Sequence, residues 1–337
     1  MKAVILHGPG AVSVGEFKTP TPKTGEVRVR VAFCGICGSD FHKVAGKKNT
    51  HPVRYPVPLG HEISGVVESV GEGVTRFSVG DRVTVDPNWS CGKCYYCKEG
   101  QTAFCENARG VVKGMAEYVV SPEENVYKLP DGLSLRDAAL CEPLACCLRG
   151  IDRLDIKQGD RVALIGLGAI GSIMLQLIRL AGAGEVLVVD ANEQRRALAM
   201  ELGATAFLNA GDREAVAEYA KTHPVKRVIE CVGVGPAQET ALEVAGRGAT
   251  VVMFGVSDSA AKLPVSFYEA FRKELTIKTS YINPHTTGRA VQLLSSGLLR
   301  TDKIIAGELS MEEAAEEMLT PCLTRQGKAL VKVDADA

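Results

Sequence analysis

Three groups of residues have types and spacings that can do chemistry. In Cys91-Gly-Lys-Cys94-Tyr-Tyr-Cys97-Lys-Glu-Gly-Gln-Thr-Ala-Phe-Cys105, four thiols lie close enough along the chain to wrap one tetrahedral ion. Four thiolates leave no open coordination position, so Cys91, Cys94, Cys97 and Cys105 are expected to hold a structural zinc that braces a loop and catalyses nothing. The second group is Cys34-Gly-Ile-Cys37-Gly-Ser39-Asp40-Phe-His42, with Gly60-His61-Glu62 and, much later, Cys141-Glu142-Pro143. One thiolate, one imidazole and one or two carboxylates bind zinc while leaving room for water or an alcohol, which is the composition of a catalytic site. Zinc so held polarises an alcohol oxygen and lowers its pKa, so an alkoxide can form near neutral pH.

The third group is Gly166-Leu167-Gly168-Ala169-Ile170-Gly171, directly after the apolar run Val162 to Ile165. Glycines at that spacing permit a tight turn, let the backbone approach a pyrophosphate and let a helix pack closely on its strand, while the helix N-terminus offers free N–H donors. Asp190 ends the next apolar run, where a carboxylate accepts hydrogen bonds from an adenosine ribose and repels a 2′-phosphate, so the expected cofactor is NAD. Arg195, five residues on, places near the same pocket a guanidinium that can tolerate a phosphate.

Two kinds of element must position these groups. The first part of the chain reads as β-rich: Val27, Val29, Val31 and Phe33 alternate with Glu26, Arg28, Arg30 and Ala32, and further short strands are expected at 65–70, 81–85 and 115–120. Ser134, an N-cap with Asp137 at N3, opens an apolar helix expected to run through Leu144 and to cross between domains. From Arg161, strands at 162–165, 186–189, 227–231, 249–254 and 275–280 alternate with helices that include 169–180 and 192–202, the pattern of a parallel sheet covered on both faces. The last residues, a helix near Thr287 to Leu294 and a strand around Ala329 to Val333, are too few to stand alone and are expected to pack back on the first domain. The fold class is therefore α/β, with one domain at 1–150 plus 286–337 and a doubly wound parallel-sheet domain at 151–285.

At 337 residues, two domains are the natural count, and 46% apolar with 23% charged residues supports buried cores. Net charge is -1 with Lys and Arg dispersed, so no basic footprint for nucleic acid or anionic lipid exists and a small-molecule partner is expected. No run approaches the roughly 18 apolar residues of a membrane span, and the N-terminal apolar run is too short for a signal peptide. A cytoplasmic protein is expected, with its eleven cysteines as thiols or metal ligands instead of disulfides.

In order, GICGSD, GHE, the four-cysteine lobe, the EPL segment and GLGAIG resemble the zinc-dependent medium-chain dehydrogenase family over essentially the whole chain. Phe267-Tyr-Glu-Ala-Phe-Arg272 and Ser280-Tyr-Ile-Asn-Pro284 resemble its polyol branch, the sorbitol, arabinitol and amino-cyclitol dehydrogenases. The resemblance implies a GroES-like catalytic domain, a Rossmann domain, an active site in the cleft between them, and a homodimer or homotetramer. It implies Cys37 and His61 as catalytic zinc ligands, Glu62 as a direct or water-separated ligand and Glu142 as the acidic fourth position, making two zinc ions per chain with the lobe. Cys141 beside Glu142 leaves a thiolate as the other candidate. Ser39 matches the hydroxyl that takes the substrate proton, His42 the solvent end of the relay, and Asp40 the carboxylate that orients the ligand imidazole. Cys34 is expected to be a packed thiol.

The expected activity is reversible NAD-linked oxidation of a secondary alcohol on a polyol, cyclitol or sugar derivative. An L-threonine 3-dehydrogenase would also use a secondary alcohol but needs partners for ammonium and carboxylate. A non-catalytic zinc- and nucleotide-binding protein would lack a ligand or relay residue, yet all are present. A zinc-ribbon nucleic-acid binder needs more positive charge than Lys93 and Lys98 supply.

Overall fold

Alternation in Glu26–Gly35 places Val27, Val29 and Val31 inward, and this long strand becomes the spine of the first sheet. A computed structural model describes residues 1–47, 53–110, 113–263 and 265–334. The chain divides into two compact units, Met1–Ala145 with Ile282–Ala337, and Cys146–Tyr281.

In the first unit the main sheet runs Val126–Lys128, Arg82–Val85, Glu62–Val70, Glu26–Gly35, Lys328–Lys332, Ile305–Leu309, with Tyr118–Pro122 also pairing Glu26–Gly35. A second sheet orders Ala11–Glu16, Lys2–Gly8 and Val57–Pro58. Valines 27, 29, 31, 67, 83 and 85 meet in one apolar core with Met311 and Met318 of the helix Met311–Leu319. The strand expected at 115–120 begins later, because Met115 and Ala116 serve the first strands instead. Val4 N–H donates to Met115 O at 2.8 Å, Met115 N–H donates to Leu59 O at 2.8 Å, and Ala116 bridges Ala3.

The apolar helix expected from Ser134 is two helices, Leu135–Ala138 and Cys141–Leu154. Ser134 caps the first, its Oγ accepting Asp137 N–H at 3.0 Å. Pro143 has no N–H to give the Ala139 carbonyl, so the chain restarts with Leu144 N–H on Leu140 O at 3.0 Å.

The second unit is a six-stranded parallel sheet in the order Ala206–Asn209, Glu185–Asp190, Arg161–Ile165, Val225–Glu230, Ala245–Met253, Thr276–Thr279. Succession reverses between Arg161–Ile165 and Val225–Glu230, which makes the sheet doubly wound and sets a switch point at their carboxyl ends. The helix expected at 192–202 is the short turn Glu193–Arg195 followed by Arg196–Glu201, with the Asn192 side chain capping Gln194 N–H at 3.1 Å.

Candidate active site

Cys37 precedes the helix Gly38–Val44 in extended conformation, and its N–H donates to Asp40 Oδ2 at 3.2 Å. That bond turns the fully buried Asp40 inward, while Ser39 and His42, three residues apart on one helical face, keep access to solvent. Asp40 Oδ1 accepts from Lys43 Nζ at 3.2 Å and Gly60 N–H at 3.4 Å, and lies 3.7 Å from His61 Nδ1. Burial raises the Asp40 pKa, but the Lys43 and His61 charges outweigh it and hold the carboxyl well below the ordinary range. Burial works against a charged His61 ring, but the Asp40 and Cys37 charges prevail and hold its pKa well above the usual imidazole value.

Two glycines make the space. Gly60 has φ 89°, and a Cβ there would meet Cys34 Sγ at 2.6 Å and Met115 Cγ at 2.7 Å. Gly35 stands opposite Glu62 in the antiparallel pair, and a Cβ there would lie 1.9 Å from Glu62 Oε2. Cys37 Sγ, a His61 nitrogen and a Glu62 oxygen then all fall within 4.8 Å of one another. Glu62 Oε2 and His61 Nδ1 are buried without a hydrogen-bond partner among the described residues. A soft thiolate, an imidazole and a carboxylate oxygen left unsatisfied fit a zinc ion. Glu142, buried at the start of Cys141–Leu154, is not in that triplet, though its charge reaches Lys328. Neighbouring Cys141 is fully buried and hydrogen-bonded toward Thr84, and burial pushes its thiol up to about 12. Cys34 is likewise buried, with its pKa raised chiefly by burial.

The four lobe sulfurs, Cys91, Cys94, Cys97 and Cys105, also lie within 4.8 Å of one another. Cys91 is pulled down to about 6, first by the Lys93 backbone N–H and then by the Asn107 amide, whereas desolvation and neighbouring sulfurs push Cys97 up to about 12. Thiols held this close cannot all ionise unless a cation joins them. The lobe's neck is a two-stranded pair, Asn88–Trp89 with Arg109–Gly110, where the Arg109 guanidinium sits 4.2 Å from the Trp89 ring centroid.

In the second unit the three loop glycines do different work. Gly166 turns the chain at φ 92°, Gly168 has open space where a Cβ would be, and a Cβ on Gly171 would meet Gly166 O at 2.1 Å. Gly168 is the N-cap of Ala169–Leu180, so Ala169, Ile170 and Gly171 form its first turn. Asp190 Oδ2 accepts Leu167 N–H at 2.6 Å and Arg195 Nη1 at 3.0 Å, and Oδ1 accepts Asn192 N–H at 2.7 Å.

Residues 23–131 match the alcohol dehydrogenase GroES-like domain family and residues 169–296 the zinc-binding dehydrogenase family. The chain is 32% identical to sorbitol dehydrogenase of Halalkalibacterium halodurans, over 93% of this chain and 94% of that one. It belongs to the zinc-dependent medium-chain dehydrogenases, on their polyol branch. A zinc-binding dehydrogenase from Sinorhizobium meliloti 1021 bound to NADP superposes with TM-score 0.92, 36% identity and 98% coverage of each chain. An alcohol dehydrogenase from Escherichia coli CFT073 complexed with NADH gives 0.89 and 30%, covering 98% of this chain and 99% of that one. The molecule is thus a zinc alcohol dehydrogenase.

One residue of this dehydrogenase's site was invisible to sequence reasoning. Lys328, buried at the start of Lys328–Lys332, donates from Nζ to Glu62 Oε1 at 2.7 Å and to Ile36 O at 3.0 Å. Burial would lower its pKa, but the Glu62 and Cys37 charges overcome that and raise it. Glu62 is therefore tethered by Oε1, while Oε2 keeps no hydrogen-bond partner among the described residues. A lysine opening the apolar run Ala329-Leu330-Val331 was the only local signal.

Proposed function

We propose that this enzyme carries out reversible, NAD-linked oxidation of a secondary alcohol on a polyol, cyclitol or sugar derivative to a ketone. The reading is carried by the mixed donor set of Cys37, His61 and Glu62, with a second buried carboxylate, Glu142, close by. A zinc ion held there supplies Lewis acidity toward the substrate hydroxyl. A nicotinamide supplies the hydride acceptor. Ser39 Oγ receives the hydroxyl proton and His42, one turn along the helix, passes it to solvent. Asp40, beside His61 Nδ1, fixes the orientation of the ligand ring.

NAD is favoured over NADP by the Asp190 carboxylate at the ribose position, with Arg195 as the moderating charge. We read the protomer as part of a homodimer or homotetramer, since the helix Phe267–Lys273 buries none of its residues and exposes Phe267 and Phe271. Among the described residues no helix is long and apolar enough to cross a membrane, and a cytoplasmic site of action remains our reading.

The deciding experiment is NAD reduction across polyols, cyclitols, threonine and primary alcohols. Secondary hydroxyls of polyols or cyclitols should be turned over, and activity confined to primary alcohols would overturn the proposal. At the metal, Glu142→Gln should weaken retention of the catalytic ion by about 10- to 100-fold, as loss of a metal-ligand partner does. Cys141→Ser should leave it in place; the reverse ranking would hand the fourth position to the thiol. In the lobe, Cys94→Ser should remove one zinc per chain by elemental analysis and shift the emission of Trp89, the only tryptophan, through its neck position. Unchanged zinc content would show that the four sulfurs hold no ion.

A further inference from the structure

The lobe of Cys91, Cys94, Cys97 and Cys105 is gripped at two points by the segment 283–287, just past Ile282, where the chain returns to the first unit. The first grip is at the lobe's root. Asp86 accepts the N–H of Asn88 through Oδ1 at 2.9 Å, and through Oδ2 the Thr287 hydroxyl at 2.8 Å and the Asn283 amide at 3.2 Å. Asn88, the first residue of the neck, closes the ring by donating from Nδ2 to Asn283 Oδ1 at 2.6 Å. Asp86, Asn283 and Thr287 are buried, so each relies on the others to satisfy its polar atoms.

The second grip reaches the ligand loop itself. Thr102 Oγ1 lies 3.2 Å from His285 Nε2, and Thr102 O accepts the N–H of Cys105 at 3.1 Å. Thr102 is thus one hydrogen bond from a lobe thiol on one side and one from the segment 283–287 on the other. Thr286 Oγ1 in turn donates to Ala145 O at 2.7 Å, at the point where the chain first leaves this unit.

The backbone here is not relaxed. Ile282 and His285 have φ 48° and 62°, left-handed values that side chains other than glycine seldom adopt, a β-branched one least of all. Such conformations persist only where the surroundings over-determine them. Of the side chains that supply those bonds, Asn88 and Thr102 belong to the lobe's neck and ligand loop. We propose that the segment 283–287 senses the lobe's metal: zinc, by fixing the four sulfurs, holds Asn88 and Thr102 where Asn283 and His285 can bind them, and an empty lobe lets the segment loosen. This inference rests on reading the lobe as a zinc site. It assigns the segment no contact with the metal.

Coupling of this kind is reciprocal, so it can be read from either end. Hydrogen exchange follows the amides of Thr286 and Ala290, which donate to Asn283 O and Thr286 O. Both should exchange at least about fivefold faster in Cys94→Ser than in the zinc-loaded wild type, the lower end of coupling between linked sites, while Glu26–Gly35 stays protected. From the other end, Asn88→Ala with Thr102→Val cuts both grips and keeps every sulfur. Its lobe Kd for zinc should rise by about the same factor, measured by competition with a chromophoric chelator in a Cys37→Ser background so that only the lobe binds. The double variant also carries the exchange comparison if Cys94→Ser does not fold. Unchanged exchange at Thr286 and Ala290, an unchanged zinc Kd, or a rise in exchange spread evenly over the first unit would overturn the sensing role. A wild-type lobe without zinc by elemental analysis would instead overturn the lobe reading, and the inference with it.

Discussion

Replacing Lys328 with methionine is expected to cost the metal-free protein about 3–5 kcal/mol of stability, the usual result of stripping one partner from a buried ion pair. Glu62 would be left charged, buried and without its 2.7 Å donor. Methionine fills the space, so a cavity is not the cause. Zinc should recover part of the loss, because a cation near Glu62 Oε2 offers the carboxylate a second source of positive charge. Thermal unfolding of the zinc-free and zinc-loaded variant, each against wild type, separates the two effects. A loss in the metal-free form below about 1 kcal/mol would mean that Glu62 is not held as an ion by Lys328.

Asp190→Gly should move cofactor selectivity by about 10- to 100-fold in kcat/KM toward NADP, the scale of one hydrogen bond to a charged group. The carboxylate now accepts from Arg195, Leu167 and Asn192 at once, so its removal deletes an anion and ends its bond to the guanidinium together. Arg195→Ala in the otherwise native chain should have the opposite sign, sharpening preference for NAD. A selectivity ratio indifferent to both substitutions would remove Asp190 from the ribose pocket.

The parts of the molecule legible from sequence were those whose partners are local. The lobe thiols lie within one short segment, and the roles of Gly166, Gly168 and Gly171 follow from a strand, a turn and a helix that touch in sequence. The parallel-sheet pattern was readable because its inner strands Arg161–Ile165 and Glu185–Asp190 are buried on both faces and carry continuous apolar runs. Long-range partners were not readable. Nothing local ties Lys328 to Glu62, 266 residues away. Gly35 carries no local mark of its role, which comes from the register that sets it against Glu62. Arg195 stood out as a nearby charge, but its bond to Asp190 depends on how the Glu193–Arg195 turn folds back. Pro143 could have signalled the helix break, yet a proline in the first turn suits a helix start, and the apolar run on either side masked it.

Because Lys328 closes the site from the far end of the chain, the order of synthesis matters. The unit Cys146–Tyr281 is continuous and can close as soon as it has emerged. The unit holding Cys37, His61 and Glu62 must wait for Lys328–Lys332 to pair with the inner edge of Glu26–Gly35. Until then Glu62 has no lysine, and the donors Cys37, His61 and Glu62 are not yet held as they are in the finished unit. Metal captured in that interval would meet a more open and more negative site than the finished enzyme presents, so loading during translation and loading afterwards are chemically different events.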